Sequence, residues 1–312
     1  MTVSTLPKPR LVIILGPTGV GKTAMALETA GRWGGEIVSA DSMQVYRGMD
    51  IGTAKPTPEE RMRIPHHLLN VVDPDEPFDA SRYCDLARGV IARLHREERP
   101  VFVVGGTGLY IRTLLGGLID IPGADESFRR AMKEEISQRG ISLLYERLRI
   151  RDAKAAGQIH PRDAVRIIRA LEVLELTGRS IVDHQREHRF HDEPYDALKI
   201  GLMLTREELQ ARIAKRTDRM IAEGFVEEVE RLLKRGYDRS LKPMQSLGYR
   251  HVAAHLAGEG DLESAIRLIK RDTGRYAKRQ MTWFAAEPGV IWLAPEDHDA
   301  AAKRIGGFLA GP

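Results

Sequence analysis

Gly16-Pro17-Thr18-Gly19-Val20-Gly21-Lys22-Thr23 satisfies G-x-x-x-x-G-K-[ST] at every fixed position. The glycines let backbone N–H groups turn inward around phosphate oxygens, and the N-terminus of a following helix adds positive potential. Lys22 supplies a mobile cation, and the Thr23 hydroxyl is suited to ligating Mg²⁺. A diphosphate or triphosphate is therefore expected here. A P-loop ATPase usually carries an apolar strand ending in an Asp that holds Mg²⁺ through water. The best candidate, Val101–Val104, runs instead into Gly105-Gly106-Thr107. Asp41 follows a different apolar segment, Glu36–Ala40, and from a strand's C-terminal end it can accept a proton from a nucleophile approaching the phosphates. An isolated Asp in such a place is more often a helix cap or a turn residue. The absent strand-end Asp weakens the motor reading and leaves group transfer to a small acceptor.

Elements that position these groups follow from the hydrophobic pattern. Leu11–Leu15 is a short aliphatic run entering Gly16, a helical pattern begins near Lys22, and Val101–Val104 is bounded by Pro100 and Gly105-Gly106. Alternating buried strands and helices predict an α/β fold, a P-loop NTPase-like parallel sheet flanked by helices. From Ala124 to Asp196 the chain turns rich in charge and helix formers, which predicts a mostly helical insertion broken at Gly140 and at His160-Pro161. The expected organisation is thus a core over 1–123, the insertion over 124–196, and completion of the core with basic helices over 197–312. Leu198–Leu204 reads as a return strand and Val290–Leu293 as a last one, with helices near Glu207–Glu223, Val226–Lys234, Gln245–Leu256 and Leu262–Trp283.

The length of 312 residues fits about two domains, or one with an insertion. With 48 Lys+Arg and 44 Asp+Glu the net charge is +4, too small to diagnose a nucleic-acid binder by its total. The single cysteine, Cys84, excludes a disulfide framework and a cysteine-based zinc site. No apolar run approaches membrane length and Met1–Arg10 lacks the apolar core of a secretory signal, so a soluble cytoplasmic protein is expected.

Placement of charge says more than the total. Arg267, Arg271, Arg275 and Arg279 step by four and make one stripe on a continuous helix, flanked by Lys270 and Lys278, with Asp272 the one acid between Arg267 and Arg279. Ile266, Ile269, Tyr276 and Ala277 turn roughly the other way. Such a stripe is commonly a solvated face, but its density favours contact with a phosphate backbone. Gly274 is a place where it can bend. A second basic face is Arg162, Arg166 and Arg169, on a helix whose Val165, Ile168, Leu171 and Leu174 are expected to pack inward.

In order along the chain come Gly16–Thr23, Ser39–Tyr46 with DSMQVY, Asp50–Pro56 (DIGTAKP), Val104–Tyr110 (VGGTGLY), HPRD at His160–Asp163, RALEV, Gly224-Phe225, QSLGY and YAKRQMTW. Together they closely resemble the bacterial tRNA dimethylallyltransferases, also called isopentenyl-diphosphate:tRNA transferases, over about Leu11 to Trp283. The resemblance implies transfer of a dimethylallyl group from dimethylallyl diphosphate to the exocyclic N6 of an adenine beside the tRNA anticodon, with release of diphosphate. It implies Asp41, Lys22 and Thr107 as catalytic residues. The diphosphate would lie on Gly16, Pro17, Thr18, Gly19, Val20, Gly21, Lys22 and Thr23 with Arg216, and Mg²⁺ on Thr23. The tRNA anticodon stem-loop would meet Asp41, Ser42, Met43, Gln44 and Thr107; Val165, Arg166, Ile167, Ile168 and Arg169; Gln245, Gly248, Tyr249 and Arg250; and Arg275, Lys278, Arg279 and Gln280. A monomer without an obligate protein partner or membrane is expected. The family's H-P-N-D reads with Arg162 here, and its H-H-L-x-D ends in Asn70; the paired His66-His67 is read as structural or RNA-side rather than as a metal site. The competing readings are an adenylate isopentenyltransferase acting on free nucleotide, a P-loop small-molecule kinase, and a non-catalytic RNA-binding module.

Overall fold

A computed structural model describes residues 8–117, 121, 123–188 and 193–311, so most of Met1–Arg10 lies outside the described residues. In chain order the elements are β1 (Arg10–Leu15), α1 (Lys22–Arg32), β2 (Glu36–Ser39), α2 (Pro58–Arg63), β3 (His66–His67), α3 (Ala80–Arg96), β4 (Val101–Gly105) and α4 (Gly108–Gly116). There follow α5 (Glu126–Arg139), α6 (Ile141–Arg151), α7 (Ala153–Ala156), α8 (Ala164–Thr177) and α9 (Ile181–His188). The chain then continues through β5 (Asp196–Leu202), α10 (Arg206–Ala222), α11 (Phe225–Lys234), α12 (Tyr249–Leu256), α13 (Leu262–Ala285), β6 (Val290–Leu293) and α14 (His298–Ala310).

The six strands form one sheet in the order β3-β2-β4-β1-β5-β6, every pairing parallel. Leu11–Leu15 of β1 are fully buried between β4 and β5, as an aliphatic run in a sheet covered on both faces must be. Around them pack Val20, Met25 and Ala30, Phe102, Ile200 and Leu202, and Ala301 and Ile305 of α14. The order β2-β4-β1 has a functional consequence. The segments leaving these three neighbours are the Asp41 loop, the Gly106-Thr107 turn and the phosphate loop, so the topology brings them side by side at the strands' C-terminal edge, where open α/β sheets bind ligands.

The chain divides into two compact units, 1–115 with 194–312, and 116–193. The second unit therefore starts at the end of α4, earlier than the composition change at Ala124, because the chain leaves the first unit when the apolar α4 stops. Its helices α5–α9 enclose a separate core of Leu144, Leu148, Ala155, Ile167, Ala170 and Leu171. Two other expectations shift. The helix over Gln245–Leu256 begins only at Tyr249, since Gly248 stands at φ 87° and Gln245–Gly248 form a turn. The edge strand β3 was not anticipated, because its two residues are His66 and His67 and carry no apolar signature.

Candidate functional site

The phosphate loop owes its shape to Gly16, Gly19 and Gly21, whose φ values of 147°, 84° and 114° lie in a region that side chains resist. Its third residue is held from outside. Thr18 N–H donates to Gln280 Oε1 of α13 (2.9 Å), and Arg216 of α10 donates to the Thr18 hydroxyl (2.8 Å). Lys22 Nζ donates to the carbonyls of Gly16 (3.0 Å) and Pro17 (2.8 Å). Burial pushes the Lys22 ammonium down to about 8, against the pull of the Asp41 carboxylate and with a smaller push from Arg216. Burial also lowers Arg216, again opposed by Asp41. Two cations and one carboxylate thus feel one another across a small volume.

Asp41 closes a turn, with Oδ1 accepting from Met43 N–H (2.8 Å) and Gln44 N–H (3.3 Å). Among the described residues no donor engages Oδ2. The Thr107 hydroxyl accepts from Ser42 N–H (3.0 Å), and Thr107 N–H donates to the Ala40 carbonyl (3.1 Å), so the β4 turn and the Asp41 loop form one unit. The glycines beside Thr107 are there for close approach. A Cβ on Gly105 would stand 2.1 Å from the Ala40 carbonyl oxygen, one on Gly106 2.5 Å from Gln280 Nε2, and one on Gly108 2.1 Å from Trp283 Nε1. Strand β2 and helix α13 are pressed against this turn.

Two cavities meet at these residues. One, about 820 Å³, is lined by Gly19, Gly21, Lys22 and Thr23 with Ser39, Lys55 and Arg219. The other, about 530 Å³, is lined by Ser42, Met43, Gly106, Gln245, Arg250, Asp272, Arg275, Tyr276 and Arg279. Thr18, Lys22, Asp41, Thr53, Arg216 and Met220 line both. Asp41 and the two cations therefore stand where a phosphate-bearing ligand from one side and a second ligand from the other can touch.

Of the residues expected on RNA, Arg250, Arg275, Lys278 and Arg279 are exposed, while Arg166 and Val165 are exposed on α8 of the second unit. Others are engaged within the fold. Tyr249 is fully buried, with its hydroxyl donating to Glu228 (2.6 Å), at the wall of the 530 Å³ cavity. Gly248 is buried beside it. Gln280 is buried and spans the phosphate loop and the β4 turn, donating to the Gly106 carbonyl (2.7 Å). Ile167 and Ile168 are buried in the second unit's core, whereas Val165, expected to pack there, is 79% exposed. Arg169 lies against Glu172, a fully buried carboxylate that also receives Arg129 (2.8 and 2.9 Å) and the Asp125 N–H (2.8 Å). Gln245 is exposed and bonds the Arg239 carbonyl. Both histidines bond within the fold: His67 meets Glu36 (2.6 Å), and His66 meets the Ile64 carbonyl (2.7 Å). No cluster of three or more His, Cys, Asp or Glu suited to a metal occurs among the described residues.

Sequence reasoning missed the groups that hold the 50–55 loop. Glu228 accepts from the backbone N–H of Asp50 (2.9 Å), Ile51 (2.8 Å) and Gly52 (3.1 Å) as well as from Tyr249. The signal was present: Phe225, Glu228, Val229 and Leu232 occupy one helical face, with an acid among apolar residues. The buried Lys55 donates to the Tyr46 carbonyl (2.8 Å), Asp50 (2.6 Å) and Asn70 (2.7 Å). Asn70 thus serves as a neutral acceptor, in a left-handed conformation (φ 55°) that Asn tolerates well.

The chain is similar to known proteins over nearly its whole length. The sequence model of the IPP transferase family matches residues 44–287, and that of isopentenyl transferase matches residues 9–73. The chain is similar to the tRNA dimethylallyltransferase 2 of Syntrophus aciditrophicus (strain SB), 53% identical over 307 residues, 98% of this chain and 99% of that one. Its structure resembles the full-length tRNA isopentenylpyrophosphate transferase of Bacillus halodurans, with a TM-score of 0.73 and 40% identity over 97% of each chain. It also resembles a eukaryotic dimethylallyltransferase acting on tRNA, with a TM-score of 0.80 and 28% identity over 96% of this chain and 78% of that one.

Proposed function

The chain belongs to the IPP transferase family, and on that premise we infer that it transfers the dimethylallyl group of dimethylallyl diphosphate to the exocyclic N6 of an adenine adjacent to the anticodon in tRNA. The observation that carries this reading is the common wall of the two cavities, where Asp41 lies with Lys22 and Arg216. A diphosphate on the phosphate loop is met by backbone N–H groups, Lys22 and Arg216. As the allylic C1–O bond breaks, its electron pair leaves with the diphosphate, and preorganised positive charge stabilises it there. An exocyclic adenine amine is a poor nucleophile because its lone pair is delocalised into the ring. As N6 bonds to C1, Asp41 Oδ2 accepts the N6 proton, while Oδ1 stays fixed by Met43 and Gln44. Thr107, bonded to Ser42, holds the loop that carries Asp41.

The hard hydroxyl oxygen of Thr23, lining the 820 Å³ cavity beside Lys22, suits Mg²⁺ bound chiefly through diphosphate oxygens and water; the ion would add charge neutralisation to the departing diphosphate. RNA is met by the exposed Arg250, Arg275, Lys278 and Arg279 of the first unit, and by Val165 and Arg166 of the second. An adenine in an anticodon loop must be unstacked to react, and the 530 Å³ cavity gives such a base a place beside Asp41. No helix among the described residues is long and apolar enough to cross a membrane. A cytoplasmic monomer is part of the same proposal.

The test is transfer of label from dimethylallyl diphosphate, with Mg²⁺, to unmodified tRNA or to free AMP, alongside labelled ATP. Label is expected on tRNA from the prenyl donor alone. Label passing from ATP to an acceptor would overturn the reading in favour of a kinase, and label on AMP but never on tRNA would assign the chain to free nucleotides. Binding without any transfer would reduce it to an RNA-binding module.

A further inference from the structure

We propose that Asp272 is a positioning residue for RNA docking, the single carboxylate that gathers guanidinium groups from two helices into one phosphate-receiving array. The proposal rests on the reading of the α12–α13 face as the RNA site. In the sequence Asp272 merely dilutes a basic run. In the fold it lies on the inner stripe of α13 with Ile269, Thr273 and Tyr276, and its side chain is 13% exposed. Its Oδ2 accepts from Arg250 of α12 (2.9 Å) and meets His251 (3.2 Å). Its Oδ1 accepts from Arg271 Nε (2.9 Å) and lies 3.5 Å from Arg275 Nη1. Arg250 and Arg275 line the 530 Å³ cavity together with Asp272 itself.

Three guanidiniums around one carboxylate leave a local excess of two positive charges. The arginine side chains remain 42%, 51% and 63% exposed, so their outer faces stay open to a ligand. Without the central anion the three cations repel one another and recover rotamer freedom. With it, much of that ordering precedes docking, which lowers the cost of binding. Arg271, His251 and Arg250 hold the Asp272 carboxyl well below the usual carboxylate range, against its partial burial, so the anion persists at any working pH.

Simple electrostatics and positioning predict opposite signs. Removing an acid from a polyanion-binding face tightens binding if total charge decides the matter. If Asp272 orders the array, its removal weakens binding. Asp272→Asn is expected to raise the Kd for unmodified tRNA at least tenfold at about 0.1 M salt, despite the added net positive charge. The Kd for dimethylallyl diphosphate should stay within twofold, and kcat at saturating tRNA should be retained while KM for tRNA rises. Asp272→Ser, a smaller neutral acceptor, supplies the same comparison if the amide variant does not fold. Unchanged or tighter tRNA binding overturns the proposal, and so does an equal loss of donor affinity, which would mark Asp272 as a general structural strut. Arg275→Ala combined with Arg279→Ala tests the underlying reading separately. If that pair binds tRNA with wild-type affinity and salt slope, the RNA-face assignment fails, whatever Asp272→Asn does.

Discussion

At one end of the reactive cleft, polar groups are organised by the backbone of consecutive residues, Gly16–Thr23, and checked by single side chains from α10 and α13. At the other end, long arginines are organised by a carboxylate that reaches 22 positions back along the chain to Arg250. The contrast has a physical basis. A diphosphate is small and always the same, so a stiff nest of N–H groups with two partly desolvated cations suits it. An RNA backbone is extended and adaptable, and half-exposed guanidiniums suit that. Asp41 lies between the two regimes, fixed by its own turn on one oxygen and open on the other.

The largest expected effect falls at this meeting point. Asp41→Asn keeps an Oδ1 acceptor for Met43 and Gln44, and hence the turn, but its amide cannot take a proton. Single-turnover transfer should fall about 10²–10⁴-fold, the usual contribution of a positioned base. Affinity for tRNA, set by the arginine end, should change less than threefold. A near-normal rate in this variant would remove Asp41 as the base.

A smaller effect tells whether Gln280 belongs to the phosphate end or the RNA end. It sits among residues expected on RNA, yet its side chain is consumed by the Thr18 N–H and the Gly106 carbonyl. Gln280→Leu leaves the buried Gly106 carbonyl unpaired, at about 1–3 kcal/mol, and frees the half-buried Thr18 N–H at a smaller cost. The expected result is a lower thermal midpoint and roughly tenfold weaker diphosphate binding, with tRNA affinity at saturating donor little changed. The reverse pattern, tRNA affinity lost and donor affinity kept, would return Gln280 to the RNA face.

This division also governs what could be read beforehand. The phosphate loop, its strand and its helix were legible because their constraints are local: fixed glycines, an aliphatic run before them, a helical pattern after. The position of Asp41 at a strand's end was legible in the same local way, whereas the role proposed for it came only with the resemblance. Glu228 and Asp272 were not, although each is an acid on an otherwise inward stripe, because sequence does not say which distant N–H groups or guanidiniums will reach it. Helix α8 was misphased for a related reason. Val165, Ile167, Ile168, Leu171, Val173 and Leu174 cover more than one face, so periodicity alone could not say that Val165 faces out and Ile167 in. The DIGTAKP and QSLGY segments were recognised as separate motifs; the Glu228 carboxylate joins them through Asp50, Ile51, Gly52 and Tyr249.

An effect of similar size separates the two ends by pH. Burial lowers Lys22 to about 8 from an ordinary value of 10.5. Between those two values the unfolded chain holds a proton that the folded chain lacks, so this group's contribution to stability rises with pH across that window and is flat below it. Diphosphate binding runs the other way, since the ligand requires the ammonium. Donor affinity should be nearly flat below pH 8 and then fall, about tenfold between pH 7 and pH 9, with binding at pH 9 taking up close to one proton. Arginines do not titrate in this range and Asp272 stays ionised, so tRNA affinity over the same interval should be flat. Lys22→Arg should remove the donor's pH dependence without introducing one for tRNA. Titrations of each ligand at pH 7, 8 and 9, by calorimetry in two buffers of different ionisation heat, give both slopes. If donor affinity stays flat to pH 9 with no proton uptake, Lys22 remains charged in the unliganded loop, and the account of the phosphate end as a desolvated cation site fails while the arginine end is untouched.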